Sequence, residues 1–161
     1  MTIEFLQLLT LIIIANGAPI VIRVLLNNRF SVGVDLGYRL HVKQPIFDKS
    51  KTCLGVIAAI GATSAAAWLM GYSFFTGVLV DSYAVLGVLI SSFIKRRLAR
   101  QPSSMALLLD QIPESLFPAL MMMQIFKLDI SAIIQLVLTF IIIELLLSHI
   151  LYKWGIREKP Y

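Results

Sequence analysis

The stretch 130–152 is almost wholly apolar and is long enough to cross a bilayer. A spanning helix needs about 20 mainly apolar residues. Inside lipid the backbone must bond to itself, so a single isolated run of this kind is a helix. Further apolar stretches lie at about 5–26, 53–69, 74–93 and 112–126. The first carries Asn16, Gly17 and Pro19 at its middle; the fourth is short and holds Pro113 and Pro118. The pattern predicts an all-α polytopic membrane protein with about five transmembrane helices. It forms a single integral-membrane domain over 1–161, with cytoplasmic loops at about 27–52 and 95–111. A hydrophobic share of 58% supports this, because soluble domains rarely reach it.

Most of the basic residues sort to one side, and the other side holds only Glu4, the Gly71 turn and the Lys127–Asp129 turn. Arg29, Arg39, Lys43, Lys49 and Lys51 fall between spans one and two, Lys95, Arg96, Arg97 and Arg100 between three and four, and Lys153, Arg157 and Lys159 after span five. With an odd number of spans these segments share one face. The positive-inside rule then puts the N-terminus outside and the C-terminus in the cytoplasm, in a cell inner membrane. The first run has no basic segment before it and reads as a retained helix rather than a cleaved signal. The net charge of +5 therefore reads as topology and phosphate handling, not as nucleic-acid binding. Cys53 is the sole cysteine, so no internal disulfide framework exists.

Candidate chemistry gathers on the basic face. Ser92, Lys95 and Arg96 stand at i, i+3 and i+4 and share a helix face that can hold a phosphate chain. The same block also reads as a stop-transfer charge cluster. Ser50, Lys51 and Thr52 precede span two, where hydroxyls, a lysine and free N–H groups can bind an anion; Ser50 as a plain helix cap is the other reading. Asp110 and Glu114 supply carboxylates for a divalent metal, or else Asp110 caps span four with Glu114 in its first turn. Asn16 is a substrate-binding candidate, or else it satisfies backbone groups at a proline kink. Asp81, Glu144 and His149 also fall in or near spans, where ionisable groups are costly.

These residues resemble the CDP-archaeol synthase family, small relatives of the CDP-diacylglycerol synthases (phosphatidate cytidylyltransferases). The matching pieces are Asn16-Gly17-Ala18-Pro19, Phe47 with Ser50-Lys51-Thr52 and Gly55, Leu86-Gly87 with the run from Ser91 to Leu98, and Leu109-Asp110-Gln111. The resemblance implies a five-helix membrane fold and Mg²⁺-dependent transfer of CMP from CTP to a phosphatidic- or archaetidic-acid-like lipid phosphate, releasing pyrophosphate. It implies catalytic roles for Lys51 and Asp110, and substrate binding by Asn16, Ser50, Thr52, Ser92, Lys95 and Arg96. Asp110 and Glu114 would be the metal ligands. The implied partners are CTP, a membrane lipid phosphate and the bilayer, and a homo-oligomer is compatible with all of this.

Three positions depart from the family pattern. Val88 follows Leu86-Gly87 where the family has a metal-binding aspartate. Cys53-Leu54 replaces an aromatic and an arginine after the lysine-threonine pair, and Asp48-Lys49 replaces a glycine-proline pair. Asp81 lies too far from position 88, roughly 10 Å along a helix, to substitute directly. These departures support an alternative, a catalytically degenerate member that binds lipid or a membrane partner. A transporter or channel subunit is a third class, resting on Asp81 and Glu144.

Overall fold

Four of the five helices start where a small polar side chain takes up a free backbone N–H; the fourth does not. Thr2 Oγ1 accepts from Phe5 N (3.4 Å), Thr52 Oγ1 from Gly55 N (3.1 Å), Ser73 Oγ from Thr76 N (3.2 Å) and Asp129 Oδ1 from Ala132 N (2.9 Å). The helices are α1 (Ile3–Leu25), α2 (Cys53–Leu69), α3 (Phe74–Arg97), α4 (Gln111–Met121) and α5 (Ile130–Lys153). The computed structural model describes residues 2–26, 33–34, 52–98 and 108–155, with Arg96 described by its backbone alone. Among the described residues there is no strand beyond an isolated bridge of Gly33 with Thr52.

Packing between these helices relies on small residues. In lipid, apolar surface has little to gain by leaving its surroundings, so close backbone approach supplies the attraction. On α2 the buried positions Gly55, Ala59, Thr63 and Ala67 recur every fourth residue. A methyl group on Gly55 would sit 3.2 Å from Pro19 Cβ on α1, so these helices nearly touch. On the other side of α2, Gly77 of α3 lies directly against the backbone of Thr63 and Ser64. Gly87, farther along α3, lies against the Pro113 carbonyl and Glu114 N of α4. Large apolar side chains fill the remaining interior: Phe5, Leu8, Leu11 and Ile12 from α1, Met122 and Phe126 beyond α4, and Leu136 and Phe140 from α5. The opposite stripe of α5, Ile130, Ile134, Leu138, Ile142 and Leu146, stays exposed at a four-residue repeat, the lipid-facing pattern.

Helices α1, α3 and α5 are long and apolar enough to cross a membrane. The fourth apolar stretch differs from expectation. The stretch 112–126 is helical only as far as Met121, and 11 residues of helix reach only about 16 Å. Turns carry the chain onward to Phe126, whose ring lies 4.6 Å from that of Tyr72 in the α2–α3 turn. Tyr72 Oη also donates to Gln7 Oε1 near the start of α1 (2.8 Å). The start of α1, the α2–α3 turn and the exit from α4 therefore meet at one end of the bundle. The end of α1, the start of α2, the end of α3 and the start of α4 meet at the other, which holds the polar site.

Candidate active site

The α3–α4 junction buries a polar group that begins with a helix end. Ser92 and Lys95 lie one turn apart near the C-terminus of α3, and both are buried. Lys95 Nζ lies 2.8 Å from Asp110 Oδ1 and 3.0 Å from Asp110 Oδ2. Asp110 occupies the residue before α4 but makes no side-chain cap bond. Its carboxylate is given to Lys95, so the capping alternative does not describe it. Glu114, one turn into α4, is also buried and sits beside Gly87.

A backbone turn aims Asp110. Leu108 has φ 69, a left-handed conformation unusual for a branched side chain. Gln111 steadies this turn by folding back, its Oε1 accepting from Leu108 N (2.9 Å). Ser115 Oγ donates to the Gln111 carbonyl (2.7 Å) in the next turn. Gln111 and Ser115 were not among the residues singled out for chemistry. The signal available was their four-residue spacing on a helix otherwise apolar.

Val88 stands beside the crossing glycine, and its carbonyl accepts from Ser91 Oγ (3.0 Å). The close contact of Gly87 with α4 brings Glu114 to the level of position 88. The acidic residue whose backbone stands at this height of the junction is therefore on α4 rather than α3.

The remaining sequence candidates are distributed as follows. Thr52 lies at the same end and caps α2. Asn16 is half-buried on α1, where its Nδ2 donates to the Ile12 carbonyl (3.0 Å), a local bond to its own helix. Ser50, Lys51 and Asp48 lie outside the described residues, as does the side chain of Arg96. The site that can be described is therefore Ser92, Lys95, Asp110 and Glu114.

The donor set bears on the metal. Mg²⁺ is held by one or two carboxylates, with substrate phosphates and waters completing its shell. Asp110 and Glu114 are hard oxygen donors four positions apart, and they fit that role. Among the described residues no group of three or more His, Cys, Asp or Glu comes together, so an ion here would depend on substrate oxygens.

A bundle of apolar helices with a buried lysine, hydroxyl and carboxylate group at one end defines an intramembrane enzyme for phosphorylated substrates. The chain belongs to the CDP-archaeol synthase family, whose CarS-like model matches residues 11–161. It is a multi-pass membrane enzyme of the cytidylyltransferase type. A CDP-archaeol synthase from Thermofilum pendens is similar, 29% identical over 155 residues, covering 92% of this chain and 76% of that protein. A solved intramembrane enzyme for archaeal membrane lipid biosynthesis shares the fold, with a TM-score of 0.74, 23% identity, and coverage of 88% of this chain and 90% of the other.

Proposed function

We propose that this chain transfers CMP from CTP to a phosphatidic- or archaetidic-acid-like lipid phosphate and releases pyrophosphate. The observation that carries this reading is the buried Lys95–Asp110 pair, set beside Glu114 where α3 meets α4. A phosphate oxygen of the lipid attacks the α-phosphorus of CTP, and the bond from that phosphorus to the pyrophosphate oxygen breaks. Asp110 and Glu114 would hold Mg²⁺, which when bound offsets charge on the triphosphate and the departing pyrophosphate. Lys95 has three donors and can contact a phosphate while keeping Asp110. Ser92, buried one turn from Lys95, adds a hydroxyl to that group, and Arg96 is assigned to the phosphates by its place in the motif. Thr52 lies at the same end, before α2, and in this reading Ser50 and Lys51 also act on the substrate phosphates and Asn16 on the substrate.

In this reading the polar end faces the cytoplasm, where CTP is found, the N-terminus lies outside, and the lipid arrives from the inner membrane. The test is CDP-lipid formation by purified protein from labelled CTP, Mg²⁺ and either phosphatidic acid or an unsaturated ether-lipid phosphate. Wild-type turnover lost in Asp110→Ala and Glu114→Ala supports an enzyme whose α4 carboxylates serve the metal. A silent wild type that gains turnover on Val88→Asp sinks the proposal and favours the degenerate lipid-binding reading.

A further inference from the structure

A second polar group lies on the α2–α3 seam, well away from Lys95. Asp81 is completely buried, and neither of its carboxylate oxygens has a hydrogen-bond partner among the described residues. Thr63 Oγ1 and Ser64 Oγ, also fully buried, are in the same condition. Gly77 accounts for the close approach of the two helices here. It lies against the Thr63–Ser64 backbone, and Asp81 stands one turn farther along the same face of α3. Side chains on a helix lean toward its N-terminus. The two helices run antiparallel, so Asp81 leans back toward Gly77, while Thr63 and Ser64 lean toward the level of Asp81.

The hydroxyls on this seam are disposed unlike others in the protein. Thr10, Ser82, Ser115 and Thr139 each donate to the carbonyl four residues earlier, at 2.7–2.8 Å. Thr63 and Ser64 make no such bond. Two hydroxyl oxygens and a carboxylate are thus left over in one apolar seam. An ionised carboxylate in that position is strongly unfavourable without a counter-charge. One carboxylate and two neutral hydroxyls carry a single negative charge, which one monovalent cation balances. A divalent ion would leave a net positive charge buried among apolar side chains. A proton would neutralise the carboxyl but leave hydroxyl oxygens of Thr63 and Ser64 unused, whereas a cation draws on the carboxylate and both hydroxyls together.

We propose that Asp81, Thr63 and Ser64 form a site for a dehydrated monovalent cation, Na⁺, that ties α2 to α3. Asp81 is 14 residues before Lys95, about 21 Å along α3, so this site is separate from the phosphate chemistry. It does not depend on the reading of the active site.

The test is thermal unfolding of the purified full-length protein in lipid nanodiscs, with NaCl compared against choline chloride at equal ionic strength and mildly alkaline pH. Wild type should show a saturable rise in Tm of roughly 5 °C with Na⁺. Asp81→Asn should show no rise, and Thr63→Val with Ser64→Ala should raise the Na⁺ concentration for half-effect by roughly tenfold. A wild type with the same Tm in both salts overturns the site, and so does an Asp81→Asn protein that keeps the Na⁺ response. Where Asp81→Asn does not fold, the hydroxyl double variant decides, and an unchanged half-effect overturns the proposal.

Discussion

Lys95 and Asp110 are 15 positions apart in sequence, yet Lys95 Nζ lies within 3.0 Å of both carboxylate oxygens. Their side chains are only 8% and 16% exposed, so the pair holds its charges largely out of water. Removing one partner takes the counter-charge of this pair away from the other. Lys95→Met should therefore cost about 3 kcal/mol of stability. Replacing both, as Lys95→Met with Asp110→Leu, should recover most of that loss while activity stays absent. Unfolding in mixed detergent micelles together with CDP-lipid formation checks both halves; a single variant as stable as wild type would count against a buried pair.

Gly87 is where α3 and α4 touch. A methyl group there would overlap the Pro113 carbonyl and stand 2.8 Å from Glu114 N, both backbone atoms that cannot swing aside. Gly87→Ala should cost about 2 kcal/mol. It should also push the first turn of α4, and with it Glu114, away from α3. Gly61, with open space around its Cβ position, provides the control: Gly61→Ala should leave both stability and turnover near wild type.

The turn at Leu108 separates strain from support. Leu108→Gly should stabilise the turn by about 1 kcal/mol, because glycine adopts positive φ freely. Gln111→Leu removes the acceptor for Leu108 N–H and should destabilise by about 1–3 kcal/mol. If Gln111 acts by aiming Asp110, its loss should lower kcat more than it raises KM for CTP, and the combined Leu108→Gly variant should restore part of kcat. An unchanged kcat in Gln111→Leu would show that Asp110 needs no such support.

At the other end of the bundle Asp129 caps α5. The Ala132 N–H and the Ser131 hydroxyl hold its carboxyl below the ordinary carboxylate range. Because its folded pKa is depressed, the cap contributes fully above the ordinary carboxylate pKa and is lost as pH falls through the lowered value. Amide exchange at the first turn of α5 should accelerate across that acidic window. Asp129→Asn, which still caps, should flatten the response; exchange equally pH-dependent in that variant would place the titration elsewhere.

The apolar stretches carried most of the fold. The second was expected at 53–69 and is helical at Cys53–Leu69; the fifth was expected at 130–152 and is helical at Ile130–Lys153. Their ends were legible from abrupt changes in polarity; the caps were not, since Ser50 was the cap considered for the second stretch and the structure has Thr52 there and Asp129 before the fifth. The fourth was misjudged at its C-terminal end, since no glycine or proline lies between Pro118 and Phe126 to mark a stop. That helix ends where Met122 and Phe126 turn into the core, a decision made by packing. The same limit applied at the site. Ser92 and Lys95 were readable as a helix face, but the partner of Lys95 depended on the fold. Gly87 was visible as part of a motif, while its contact with Glu114 depended on how α3 and α4 cross.

The brevity of α4 also bears on how the protein is made. A segment of 11 helical residues that includes Gln111, Glu114, Ser115 and two prolines is poorly suited to enter a bilayer alone. Its neighbours α3 and α5 are long and apolar enough to insert as independent units. Helix α4 and the turns that follow it instead rest on their neighbours, seated against Gly87 at one end and Tyr72 at the other. In the proposed reading Asp110 and Glu114 hold the metal, and since they stand just before and within α4, that site is complete only once α4 has docked against α3.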